Sequence, residues 1–249
     1  RAPHFSPSAI DRYLLCGRDY KYHYIDKAPE PPPSGILTVG SLVHKVFEKA
    51  YKSLLAKCAP MTPDEAAEDF RHLMDAEEAL TDWSDLHFEE ARAKGSGLVH
   101  RYVKDIMPQF TPLAVEQGFL VQTRRGDIVL MKTDLVTTEG TIIDFKISGK
   151  PWAKSKIDEK LQLSLYSFLT GEPEQQVEVH NLSLQPDKIT QHITIKDAED
   201  SLWSFGIVNS CIDAIKAGVF TPATPGHWKC SEKFCGFFCQ CHKELKEAA

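Results

Sequence analysis

An α/β fold is predicted by three features of the sequence: apolar residues at helical spacing through positions 40–110, short β-branched runs bounded by turn residues after Pro112, and a closing helical pattern ahead of a cysteine-rich tail. The 249 residues, 42% hydrophobic and 26% charged, hold enough apolar mass for one large domain or two small ones. We expect a single domain, 1–249, made of an amino-terminal helix (1–39), a helical region (40–111), an α/β core (112–197) and a closing helix with its tail (198–249). No run of about 18 apolar residues is present, so no membrane-spanning helix is expected. Residues 1–8 lack the apolar run of a secretory signal. Seven cysteines, four of them crowded between Cys230 and Cys241, suit metal ligation in a reducing cytoplasm better than a disulfide framework.

Ser6-Pro7-Ser8-Ala9 has the composition of a helix start, with a capping hydroxyl and an early proline, and Ile10, Tyr13 and Leu14 carry the apolar spacing toward Cys16. Pro29 and the run Pro31-Pro32-Pro33-Ser34-Gly35 interrupt the chain. A second helix is predicted from about Thr38 to Ala56, burying Val43, Val46, Phe47, Ala50 and Leu54. After Pro60 to Pro63 comes a polar helix marked by Phe70, Leu73 and Met74, then one marked by Leu98, Tyr102 and Ile106 that stops near Pro108. Val115 to Val121 and Ile128 to Leu130 read as strands joined by a turn at Arg125-Gly126, and a turn at Glu139-Gly140 leads into Thr141-Ile142-Ile143-Asp144-Phe145-Lys146. Leu161, Leu165 and Phe168 mark a helix, Val177 to Leu184 and His192 to Ile195 two more strands, and Phe205, Val208, Ile212, Ile215 and Val219 the last helix. Cys58 and Cys211 are expected as buried core thiols.

Side chains two apart on a strand share a face, so Asp144 and Lys146 project together, and Asp134 falls on the preceding strand. Two carboxylates and an ammonium gathered this way suit phosphodiester hydrolysis. A hard divalent cation held by carboxylates neutralises the anion, generates hydroxide near neutral pH and stabilises the leaving oxyanion. Asp134 and Asp144 are the expected ligands of Mg2+ or Mn2+, the backbone carbonyl of Phe145 a further oxygen donor, and Lys146 the group facing the scissile phosphate. His44 adds a nitrogen ligand, which tilts the preference toward Mn2+, and Gly40 one turn earlier leaves room for close approach. Gln162 and Tyr166, four apart on one helix face and away from Leu161 and Leu165, can donate to a phosphate or its ligands. Lys150, Lys154, Lys156 and Lys160 extend a local basic run from Lys146, with Trp152 as a stacking surface, a DNA-contact candidate that the net charge of -6 hides.

Gly40-Ser41-Leu42-Val43-His44, Asp134, Asp144-Phe145-Lys146 and Gln162-Leu163-Ser164-Leu165-Tyr166, in that order, resemble the RecB-type branch of the PD-(D/E)xK nucleases. Cys16 with Cys230, Cys235 and Cys241 is similar to the subgroup that carries a 4Fe-4S cluster, which includes phage-encoded exonucleases, CRISPR-adaptation nucleases and AddB-type nuclease domains. The resemblance implies a restriction-endonuclease-like mixed β-sheet core flanked by helices, with a helical insertion and a cysteine-rich C-terminal tail, the cluster tying the first helix to that tail. It places His44, Asp134 and Asp144 at the metal, Lys146 in catalysis and Gln162 with Tyr166 as an accessory motif; Glu116 stands where many relatives carry an acidic residue one strand earlier. Lys132 departs from the pattern, occupying a position where relatives usually have glycine. Cys241 is preferred to Cys239 as the last cluster ligand because family tails commonly end with five residues between the final two, and four thiolates equally suit structural Zn2+. The implied activity is a metal-dependent DNA exonuclease acting on single-stranded or resected ends in phage or bacterial recombination, repair or replication, with partner proteins of those processes. A structure-specific endonuclease and a DNA-binding module with weak or lost cleavage are the alternatives.

Overall fold

The computed structural model describes residues 5–56, 59–170 and 174–247; Cys58 lies outside them. In chain order its main elements are α1 (Pro7–Leu15), α2 (Gly17–Tyr20), α3 (Gly35–Leu55), α4 (Pro63–Glu77), α5 (Phe88–Arg101), β1 (Pro112–Gln122), β2 (Ile128–Thr137), β3 (Ile142–Ser148), α6 (Lys154–Asp158), α7 (Leu161–Thr170), β4 (Glu174–Leu184), β5 (Asp187–Asp197), α8 (Ala198–Lys216) and α9 (Phe238–Glu247). They form two compact units, one of Pro32–Phe119 and Lys132–Ser201, the other of Arg1–Pro31, Leu120–Met131 and Leu202–Ala249.

The sheet runs β1-β2-β3-β4-β5, with β2 and β3 antiparallel, β3 and β4 parallel, and β4 and β5 antiparallel. This is the mixed, helix-flanked sheet that the sequence predicts. A parallel step cannot be closed by a tight turn, and the segment carrying α6 and α7 makes the crossover from β3 to β4. β5 is an edge strand, and it begins at Asp187, earlier than the apolar signal at His192 to Ile195, through the mixed segment Lys188 to Gln191.

Within the Pro32–Phe119 and Lys132–Ser201 unit, α3 supplies the longest apolar face. Val39, Leu42, Val43, Val46, Phe47, Ala50 and Tyr51 are buried on it, and they join Phe70 and Met74 of α4, Leu98 and Val99 of α5, and Leu135, Ile143, Phe145 and Leu182 of the sheet in one core. Thr62 and Glu65 close a capping box at the start of α4, satisfying amides that the helix cannot pair internally. The core also holds a polar chain: Tyr51 Oη meets Tyr102 Oη at 3.1 Å, Tyr102 Oη lies 2.7 Å from His180 Nδ1, and His180 Nε2 lies at ion-pair distance, 3.0 Å, from Glu178 Oε1. α7 departs from the expected one-sided pattern. Leu163, Leu165 and Tyr166 are all buried, while Phe168 is 54% exposed, because the helix packs on both β4 and β5.

In the other unit, Ser6 caps α1 by accepting from the Ala9 amide at 3.2 Å, and Phe5 bridges to Val129. Tyr13 donates to the Val219 carbonyl at 2.7 Å, and the Gly17 amide to that of Thr221 at 2.8 Å. A Cβ at residue 17 would sit 2.8 Å from the Thr221 nitrogen, so glycine is required there by the approach of two backbones. Cys211 is buried as expected, whereas Val219 lies past the end of α8 and is exposed. Helix α9 was not foreseen; it packs Cys241 against Tyr22 and Phe237.

Candidate active site

β2 and β3 pair through Leu135 with Ile143 and Val136 with Ile142, and Asp134 and Asp144 are the residues next to Leu135 and Ile143 on the two strands. There the side chain of Asp134 acts as an acceptor: the Phe145 amide donates to Asp134 Oδ2 at 2.8 Å. Like charges on neighbouring strands repel, and both carboxylates are shielded from water. Burial and the Asp144 charge push the Asp134 carboxyl up to about 6, against the opposing pull of His44, Lys146 and the Phe145 amide. Asp144, fully buried, is held by Lys146, whose Nζ lies 2.7 Å from Asp144 Oδ2.

His44 projects from α3 with Nδ1 3.7 Å from Asp134 Oδ1. Ligand atoms of His44, Glu116 and Asp134 all lie within 4.8 Å of one another, which makes these three a group able to hold one ion. Glu116 reaches it by an unusual route. Its φ is 53°, a left-handed conformation inside β1 that costs a non-glycine residue about 1–3 kcal/mol and re-aims the side chain. Lys132 forms an ion pair with Glu116. Among the described residues Asp144 joins no group of three at that spacing, so the expected set of His44, Asp134 and Asp144 is assembled here with Glu116 as its third close member.

Gln162 and Tyr166 form a chain of hydrogen bonds with one polarity. Lys146 Nζ approaches Gln162 Oε1 at 3.5 Å, Gln162 Nε2 donates to Tyr166 Oη at 2.5 Å, and Tyr166 Oη donates to the Lys132 carbonyl at 2.9 Å. Of the expected donation by Tyr166 to a phosphate or its ligands, the buried ring leaves the second: its hydroxyl faces Lys132 O and, at 3.4 Å, Asp144 Oδ1. Tyr166 thereby ties α7 to the β2 backbone two residues before Asp134. A Cβ at Gly40 would meet only Ile147, at 3.7 Å.

In the lysine run, Lys150, Lys154 and Lys156 are exposed and Lys160 half-buried. The Trp152 ring is covered by cations, with Lys156 Nζ 3.9 Å and Lys160 Nζ 5.6 Å from its centroid. The segment is anchored by Asn181, which sequence reasoning missed. Asn181 lies opposite Lys146 in the β3–β4 register, accepts from the Trp152 amide at 2.7 Å, and donates to Lys146 O at 3.0 Å and Ser148 Oγ at 2.8 Å. Asn181 breaks the alternation of Val177, Val179 and Leu182, Leu184 along that strand, which was the available signal.

In the other unit, Cys16, Cys230, Cys235 and Cys241 line a cavity of about 240 Å³ together with Asp19 and Lys229; Cys239 is exposed and does not line it. Cys16 Sγ accepts from the Ala223 amide at 3.4 Å, and Cys230 Sγ lies 3.8 Å from His242 Nε2. Burial pushes the thiols of Cys235 and Cys241 up. Asp19 is buried between Lys229 Nζ at 3.5 Å and Arg12 Nε at 3.7 Å. No three ligand atoms of this group lie within 4.8 Å of one another.

The family model of the PD-(D/E)XK nuclease superfamily matches residues 4–242. Among solved structures, a candidate exonuclease from Eubacterium rectale is 14% identical, with 93% of this chain and 86% of that one covered and a TM-score of 0.60; at that identity the likeness concerns the fold. SSO0001 is 15% identical over 94% of each chain, with a TM-score of 0.40. No curated protein matches.

Proposed function

The chain belongs to the PD-(D/E)XK nuclease superfamily, and from that membership we propose that it is a divalent-metal-dependent DNA exonuclease acting on single-stranded or resected ends. The observation that carries the reading is the convergence of His44, Glu116 and Asp134 beside the Asp144–Lys146 pair. His44, Asp134 and Asp144 would hold Mg2+ or Mn2+, with Glu116 and the Phe145 carbonyl as further donors. The donor set suits such an ion: carboxylate oxygens with one imidazole, one of the carboxyls held above its ordinary range by burial and by a neighbour of like charge, both of which a cation would offset. A bound ion supplies Lewis-acid charge and a water that ionises near neutral pH. The protein's own groups do the rest. Lys146, fixed between Asp144 and Gln162, keeps its ammonium where negative charge grows on the phosphate. Tyr166 holds the Lys132 carbonyl and so the strand that carries Asp134. Lys150, Lys154, Lys156 and Lys160 would contact the DNA backbone, with Trp152 shaping the segment that bears them.

The cysteine cavity we read as the seat of a 4Fe-4S cluster on Cys16, Cys230, Cys235 and Cys241. The exposure of Cys239 supports Cys241 as the fourth ligand. The Cys16 sulfur accepts an amide hydrogen bond, as cluster thiolates do. The setting that fits is bacterial or phage DNA recombination, repair or replication in the cytoplasm.

The test is digestion of end-labelled linear and covalently closed circular DNA, single- and double-stranded, with each metal in turn. Release of short products from linear single strands in Mg2+ or Mn2+, none with a chelator and none from circles, is expected. Efficient cutting of closed circles would instead assign an endonuclease.

A further inference from the structure

We propose that Lys132 is a tethered cation that occupies Glu116 and is displaced when a divalent ion takes that carboxylate, so that this lysine sets the affinity of the metal site. The inference rests on the metal-site reading above.

Each carboxylate of the site has a cationic or donor partner. Asp144 is held by Lys146, Asp134 by His44 and the Phe145 amide, and Glu116 by Lys132. The two lysines are not equivalent. Lys146 is 22% exposed and bridges Asp144 and Gln162, so moving it leaves a fully buried carboxylate without its ammonium. Lys132 is 58% exposed, while the Glu116 side chain that it covers is 11% exposed. A flexible ammonium already mostly in water leaves its partner at low cost, whereas the Glu116 carboxylate, largely covered, stays at the site. Glu48 and Asp134 add their fields at Lys132, so its charge is drawn to the same negative locus that a divalent ion would fill. The backbone of Lys132 is pinned through its carbonyl by Tyr166, which leaves the side chain as the moving part. A metal ion and Lys132 thus compete for one carboxylate.

The experiment is calorimetric titration of Mn2+ alone into the full chain, without DNA, for wild type, Lys132→Met, Lys132→Arg, Glu116→Gln and the double variant Glu116→Gln/Lys132→Met. Lys132→Met is expected to bind Mn2+ about fivefold more tightly, the equivalent of one exposed ion pair, and Lys132→Arg to stay within about twofold of wild type because the charge is kept. On the Glu116→Gln background the Met substitution should change the affinity less than about twofold, because the competed carboxylate is gone. Unchanged or weaker binding by Lys132→Met overturns the inference while leaving the metal site standing. An equal gain on both backgrounds also overturns it, since Lys132 would then act through general charge and not through Glu116. Absence of Mn2+ binding by wild type removes the metal-site reading and this inference with it.

Discussion

The carboxylate site takes its side chains from α3, β1, β2 and β3, with two acids on neighbouring strands and a third carried on a left-handed residue. The cysteine cavity takes its sulfurs from positions 16 and 230–241, near the two ends of the chain, and burial there favours neutral thiols. At the first site burial and a neighbouring like charge raise Asp134, an unfavourable field that a cation would relieve; at the second, burial is the leading cause that keeps the thiols neutral. The contrast separates two uses of a bound group. Where charges are pre-arranged by rigid strands, removing one alters chemistry more than folding. Where distant segments meet around a cavity, removing one ligand alters folding first.

Lys146→Gln gives the largest effect on the chemical side. Glutamine can still donate to Asp144 and stay near Gln162, so the fold should keep its thermal midpoint within a few degrees, but the positive charge beside the reacting phosphate is gone. Single-turnover cleavage of end-labelled DNA should fall by about a thousandfold, the scale of losing a charge-stabilising donor, while DNA binding measured by fluorescence anisotropy stays within about threefold. Retained turnover would break the assignment of Lys146. On the folding side, Cys16→Ser should lower stability by about 3 kcal/mol, or about 6–12 °C in Tm for a chain of this size, and abolish absorbance near about 400 nm in anaerobically purified protein. Cys239→Ser, at an exposed position outside the cavity, should change neither. A Cys16→Ser protein that is fully stable yet inactive would reverse the roles given to the two regions.

How much of this was legible in the sequence follows from how local each feature is. Asp144 and Lys146 share a face because a strand has period two, and Val43, Val46, Phe47 and Ala50 fix the buried side of α3, from which His44 then projects. Both need only neighbours in sequence. The aim of Glu116 depends on a left-handed φ at a residue type that gives no sign of it. The burial of Tyr166 depends on non-local partners, Lys132 on β2 and Asp144 on β3, so a helical wheel drawn from α7 alone misplaces it. Asn181 acts across the parallel β3–β4 register, a non-local pairing invisible to periodicity. α9 was within reach: Phe238, Cys241 and Leu245 stand at helical spacing, but there the cysteines drew attention as ligands and their spacing as a helix was overlooked.

The smallest of the expected effects is the most direct probe of the repulsion itself. The folded Asp134 carboxyl holds its proton up to about 6, more tightly than an unfolded one. In the metal-free protein the folded state thus binds more protons than the unfolded state between the ordinary aspartate range near about pH 4 and about pH 6, and stability falls as pH rises through that window, then stays low above it. The loss should be about 1–2 kcal/mol, or about 3–6 °C in Tm, after allowance for coupling to Asp144. A divalent ion takes the place of that proton, so saturating Mn2+ should raise Tm by more at pH 7.5 than at pH 5.5. Asp134→Asn, which keeps an acceptor for the Phe145 amide but carries no charge, should erase the pH-dependent difference and leave the metal-free protein at pH 7.5 as stable as wild type or more so. If wild type and Asp134→Asn instead lose stability in parallel across the window, Asp134 is not the group that titrates there, and the contrast with the cysteine cavity fails.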